Sequence, residues 1–149
     1  MVKTPRGRSA VSSIYRHLDL IVEPTIADLQ KDQLSVRKTF TACLVTFHAI
    51  DRFAEKPGNL RKEWRDQSQA FALIDLIAHT FKHVDAEGGK EPKPGRIPWK
   101  AAMPGAMGLN THALNESGPD VRQIFFLVNE AAKFIRRKAD QLALASERD

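Results

Sequence analysis

Apolar residues recur every three or four positions through four separate stretches of this chain, a spacing that serves a helix with one buried stripe. Val11, Ile14, Leu18 and Ile21/Val22 mark a short first helix that stops before Pro24, because a proline pushes its predecessor out of the helical region. Thr25-Ile-Ala-Asp28 reads as a capping-box-like start for a second helix. Its stripe runs through Leu29, Val36, Phe40, Cys43, Phe47, Ile50 and Ala54, interrupted at Gln33, for about seven turns. Pro57-Gly58-Asn59 then turns the chain, with Asn59 as N-cap. A third helix from Leu60 to Val84 faces Trp64, Phe71, Ile74, Ile77/Ala78, Phe81 and Val84 inward, and so short a link predicts an antiparallel hairpin. The last helix opens at Ser117-Gly-Pro-Asp120, where cap and early proline agree, and carries Val121, Phe125, Val128, Ala132, Ile135, Ala139 and Leu142. The pattern predicts an all-α, up-and-down helical bundle of about four helices, one domain over residues 11–149.

Gly88-Gly89 ends the third helix, and residues 85–117 form a Gly/Pro-rich crossover before the last one. A loop of that length in a compact domain is a functional or irregular insertion. Arg96-Ile97-Pro98-Trp99 has the makings of a short edge strand. Trp99, set among Lys93, Arg96 and Lys100, is a binding candidate: it can stack a base, cover a pocket, or simply pin the crossover to the bundle.

Charge is unevenly placed. The formal net charge is +5, and residues 1–16 carry Lys3, Arg6, Arg8 and Arg16 with no acid, which leaves the body nearly neutral. Residues 1–10 therefore read as a basic flexible arm, either a frayed soluble end or a contact for phosphates. One cysteine, Cys43, excludes an internal disulfide, and no apolar run is long enough to span a membrane. The start of the chain lacks the apolar segment of a signal peptide, so the expected location is the cytoplasm. Phosphate-binding loops, dinucleotide motifs and Gly-x-Ser-x-Gly are missing, and no cofactor is predicted.

The densest chemistry lies on the third helix, where Asp75, His79 and His83 stand at i, i+4 and i+8 with Lys82 beside them. Steps of four drift only about 40° past a full turn, so the three form one stripe. Asp75, His79 and His83 are thus candidate metal ligands, although Thr80 stands where a zinc protease helix needs Glu. The structural alternative is an Asp75–His79 helix pair, worth about 0.3–0.5 kcal/mol. In a hairpin folded near residue 57, His48 lies level with Gln67 and Asp51 with Trp64, whereas His83 lies level with Asp32. His48 and Asp51 then stand ~18 Å along the bundle from His79 and cannot share its ion. Lys82, His83 and Asp32 form the candidate catalytic group, at the end of the helix beside the irregular insertion.

Two further features concern partners. Arg136, Arg137 and Lys138 concentrate positive charge on the last helix and are candidate phosphate contacts, alongside a plain solvated face. Phe126 and Phe134, read as an exposed apolar face on the same helix, motivate a homodimer. Arg52, Lys56, Arg61, Lys62 and Arg65 around Trp64 are interleaved with Asp51, Glu55, Glu63 and Asp66, a mixed and solvated hairpin tip. Cys43 sits on the second stripe and reads as a small buried hydrophobe rather than a nucleophile.

The run Thr41-Ala-Cys-Leu-Val-Thr-Phe-His48-Ala-Ile-Asp51, followed by Asp75-Leu-Ile-Ala-His-Thr-Phe-Lys82-His83, resembles a loose group of small bacterial all-helical proteins of unknown function. In those, an H-x-x-D helix precedes one reading D-x-A-N-x-x-K-H; here Ala78 and His79 replace the small residue and Asn. The resemblance covers residues 40–84 and implies a helical fold and an interest in Lys82-His83, but no activity. Helical ribonuclease toxins resemble the chain only as bundles, since no histidine here has an arginine five to seven residues before it. The expected function is a binding or interaction module. A small hydrolase or ribonuclease at Lys82, His83 and Asp32 is the first alternative, and a nucleic-acid-associated protein the second.

Overall fold

The computed structural model describes residues 8–33, 35–82 and 124–148, and every regular element within them is helical. Helix α1 (Arg8–His17) passes through a π-helical turn, Leu18–Val22, into α2 (Glu23–Lys31). Pro24 therefore does not stop the first helix. In the π turn the Glu23 N–H reaches back to the Leu18 carbonyl, five residues earlier, and Pro24 follows in the first turn of α2, where a missing donor costs little. Thr25 is not an N-cap either, since its hydroxyl donates to the Ile21 carbonyl at 2.6 Å.

The chain breaks instead at Asp32–Ser35. Ser35 has an extended backbone, and its hydroxyl accepts from the Lys38 N–H, which caps α3 (Val36–Phe47). A 3₁₀ turn, His48–Arg52, follows. The predicted seven-turn helix is thus the end of α2, a corner, α3 and a tightened final turn.

The third predicted helix is also two. Helix α4 (Gly58–Gln67) ends at Ser68, whose backbone is extended, and α5 (Gln69–Lys82) begins with the Phe71 N–H donating to the Ser68 hydroxyl. The last described helix, α6, runs Ile124–Ser146. Its predicted start at Ser117, the crossover 85–117 and residues 1–7 of the basic arm lie outside the described residues; residues 8–10 of that arm are already helical.

The α1–α2 rod, α3, α5 and α6 pack in a ring: rod against α3 and α6, α3 against α5, and α5 against α6, with α4 folded back on α5. The all-α bundle stands. Trp64, on α4, lies at its centre and is 1% exposed. Phe53, Phe71 and Phe134 each meet the Trp64 ring edge to face, at 4.8, 5.3 and 5.6 Å between centroids. Phe134 is therefore core rather than surface, and of the two phenylalanines that suggested a homodimer only Phe126 is exposed.

Polar ties fix the rod against α6 and α3. The Tyr15 hydroxyl donates to Asp140, and Arg136 pairs with Asp19 at 2.7 Å and Glu23 at 3.4 Å. His17 Nε2 lies 3.1 Å from the Val45 carbonyl, which only accepts, so that nitrogen carries the proton. Among the described residues no helix is long and apolar enough to cross a membrane.

The bond to Asp140, with burial, raises the Tyr15 pKa to about 12. The stabilisation is complete below the ordinary tyrosine value near 10 and is lost as pH climbs from there through about 12. Tyr15 is the only tyrosine, so phenolate absorbance reports it alone. We expect a midpoint near 12 that falls toward 10 in Asp140→Ala; a wild-type midpoint near 10 would refute the tie.

Candidate functional site

Asp75 occupies a core position on α5, between Phe71, Ile74 and Ala78, and its side chain is 2% exposed. A carboxylate there must be paired, because desolvating an uncompensated charge costs several kcal/mol. Its partners come from α4. Arg61 grips it in a fork, Nε to Oδ2 and Nη2 to Oδ1, both at 2.8 Å. Arg65, one turn further along, brings Nε to 3.6 Å from Oδ2.

The corner at Ser68 makes this possible. On a continuous helix Arg61 and Asp75 would be ~21 Å apart along the axis. Folding α4 back on α5 brings them into contact, so two arginines read as members of a solvated tip instead converge on a buried acid.

His79 completes the cluster. Its Nδ1 lies 2.9 Å from both the Asp75 carbonyl and Asp75 Oδ1, which are acceptors, so Nδ1 bears the proton. Its Nε2 lies 3.2 Å from Arg61 Nη2, which can only donate, so Nε2 presents its lone pair. The network thus assigns a neutral imidazole in the Nδ1–H tautomer. Phe47, on α3, forms the floor: the Arg61 guanidinium sits over its ring at 5.6 Å, and the His79 ring meets it edge-on at 5.5 Å.

The Asp75–His79 pair predicted from spacing is present, though as part of a larger network. The metal reading of Asp75, His79 and His83 meets a physical obstacle: the carboxylate already faces two guanidinium charges, and His79 directs its lone pair at one of them. Among the described residues no group of three or more His, Cys, Asp or Glu side chains is placed to hold a metal ion. His83 lies outside the described residues.

Asp32 is exposed at the α2–α3 corner, 3.4 Å from Lys38 Nζ, and its carbonyl accepts from the Ser35 N–H. The register that set it opposite His83 assumed an unbroken second helix, which the corner removes. Lys82 ends α5, and nothing is described of its side chain, of His83 or of Trp99. Arg136 is held by Asp19 and Glu23, which raise its pKa further, and Lys138 Nζ rests over the Phe134 ring at 5.4 Å. Of the three basic candidates on the last helix Arg137 is exposed, whereas Arg136 and Lys138 are half-buried.

His48 and Asp51 also sit differently from expectation. They form an exposed pair, Nδ1 to Oδ2 at 2.7 Å. The His48 ring meets Phe47 at 5.1 Å, so both imidazoles flank one phenylalanine, far closer than the ~18 Å of the unbroken hairpin. Cys43 is wholly buried, and burial pushes its thiol pKa up to about 12, which leaves no thiolate for chemistry near neutral pH.

Arg61 and Arg65 are the residues that sequence spacing missed. The available signal was Asp75 itself, an acid on an apolar stripe that requires a cation from a neighbouring element. No family model, curated protein or solved structure matches the chain.

Removing Arg61 leaves Asp75 buried with only the looser Arg65 contact. We expect Arg61→Ala to cost about 2–3 kcal/mol in urea unfolding, below the usual 3–5 because Arg65 remains and Arg61 is one-third exposed. Arg65→Ala should cost under about 1 kcal/mol. Equal small losses would show that Asp75 does not depend on the fork.

Proposed function

We propose that this chain is a binding module rather than an enzyme. The observation that carries this reading is how the atoms of its most polar cluster are used. Both Asp75 oxygens are paired with arginine, and the two His79 nitrogens are fixed in opposite roles by Asp75 and Arg61. General acid–base chemistry needs such a group poised to exchange a proton with a substrate. The groups that face outward are guanidiniums, which stay charged at any physiological pH and recognise partners through directed hydrogen bonds.

The same cluster favours recognition over turnover in a second way. The Asp75 carboxylate, Phe47 and His79 hold Arg61 in one geometry before any partner arrives, which lowers the ordering cost of binding. Self-association and a nucleic-acid role keep less support, because Phe134 is core and Arg136 is paired within the bundle. The hydrolase alternative depends on Lys82 and His83.

Thermal denaturation of the full chain against small anions, acidic peptides and nucleotides, with NMR of each compound after incubation, separates these readings. A binding module predicts a midpoint that rises with the logarithm of ligand concentration while the compound stays intact. Turnover that disappears in His83→Ala or Lys82→Ala would replace this reading with the hydrolase.

A further inference from the structure

We propose that the outward edges of Arg61 and Arg65 form a receptor for a phosphate-type oxyanion; this rests on the binding reading and names its ligand class. The two arginines are four residues apart on α4, so they emerge from successive turns of one face, about 6 Å apart at their bases. Asp75 holds both by their Nε sides: Arg61 through Nε and Nη2 at 2.8 Å, and Arg65 through Nε at 3.6 Å. A guanidinium is planar and carries five N–H donors, so anchoring one edge directs the other away from the anchor. Among the described residues, Nη1 of Arg61 and both Nη atoms of Arg65 remain for a second acceptor. The side chains are 35% and 52% exposed, and that acceptor can come from solvent.

Charge points the same way. Two guanidiniums face one carboxylate, and His79 is neutral in its assigned tautomer, so among the described residues the cluster holds one surplus positive charge. Asp66 and Glu63 adjoin the pair along α4, but Asp66 stands about 100° round the helix from Arg65 and Glu63 about 160° from both Arg61 and Arg65, and Glu63 accepts from Gln67 at 3.1 Å. The His48–Asp51 pair lies across Phe47. An oxyanion bridging Arg61 and Arg65 would leave Asp75 in place and neutralise the surplus.

Shape selects among oxyanions. Asp75 already occupies the planar, side-on mode of Arg61, so an incoming group meets two separated guanidinium edges rather than one fork. A phosphate group offers three acceptor oxygens in a tetrahedral spread and up to two negative charges. A carboxylate offers two oxygens in one plane and a single charge. The bridging position therefore favours phosphate, free or as a monoester.

The test follows the arginine Nε–Hε resonances of the full chain during titration with inorganic phosphate, at constant ionic strength, in wild type and in Arg65→Gln and Arg65→Lys. Arg65 is half exposed, so these variants keep the fold, which the melting midpoint verifies. Saturable shifts of both Arg61 and Arg65 signals are expected, weakened about tenfold in Arg65→Gln and less in Arg65→Lys. A mononucleotide titrated in parallel distinguishes the sources: tighter binding than inorganic phosphate assigns the site to an esterified phosphate, and equal binding to the free ion. Shifts no larger than sodium chloride produces, or identical binding by Arg65→Gln, would overturn the receptor. Acetate binding as tightly as phosphate would overturn the ligand class while leaving the binding module intact.

Discussion

Burying one carboxylate sets the terms for half of this bundle. Asp75 lies among Phe71, Ile74 and Ala78, where an unpaired charge would not be tolerated, and the nearest cation that reaches it belongs to the preceding helix. That demand fixes the path of the chain: α4 must fold back on α5 at Ser68 so that Arg61 and Arg65 can face the acid. The same reversal drives Trp64 into the core, because Trp64 and Arg61 project from α4 three residues apart. The ion pair and the aromatic hub are two consequences of one corner.

The hub makes the corner favourable. Trp64 meets Phe53, Phe71 and Phe134 edge to face, which ties the loop after α3, both limbs of the corner and α6 into one contact set. Edge-to-face pairs contribute about 0.5–1.5 kcal/mol each beyond the area they bury, so the apolar side of the corner offsets the desolvation of Asp75 on its other side. Phe47 joins the two regions: it lies 6.0 Å from Phe71 and also supports Arg61 and His79. Mechanical order in the polar cluster thus derives from the aromatic core beneath it, and this is why arginine donors at the surface can be rigid.

The helical class and most core positions were legible in the spacing of apolar residues. Ile14, Leu18, Cys43, Ile50, Trp64, Ile74, Val128 and Ile135 are all buried, as the stripes require. The two corners were not legible, for a common reason. Each falls in a seven-residue gap, Leu29 to Val36 and Trp64 to Phe71, and seven residues are close to two full turns, so the stripe resumes in phase beyond the break. The polar residues inside those gaps, Ser35 and Ser68, are the caps. Pro24 misleads in the opposite sense, because the π turn before it removes the need for its N–H. The candidate site inherits the error: with α4 and α5 read as one rod, Arg61 and Asp75 stand ~21 Å apart along it, and only the misplaced acid hints at its partners.

The most direct measurement is a double-mutant cycle between Arg61→Ala and Asp75→Asn, read by urea unfolding. A fork that crosses the Ser68 corner requires the two substitutions to be strongly coupled, with the double mutant recovering at least about 1.5 kcal/mol of the summed single losses. Losses that add to within about 0.5 kcal/mol would mean that Arg61 and Asp75 act independently, and the corner would need another cause.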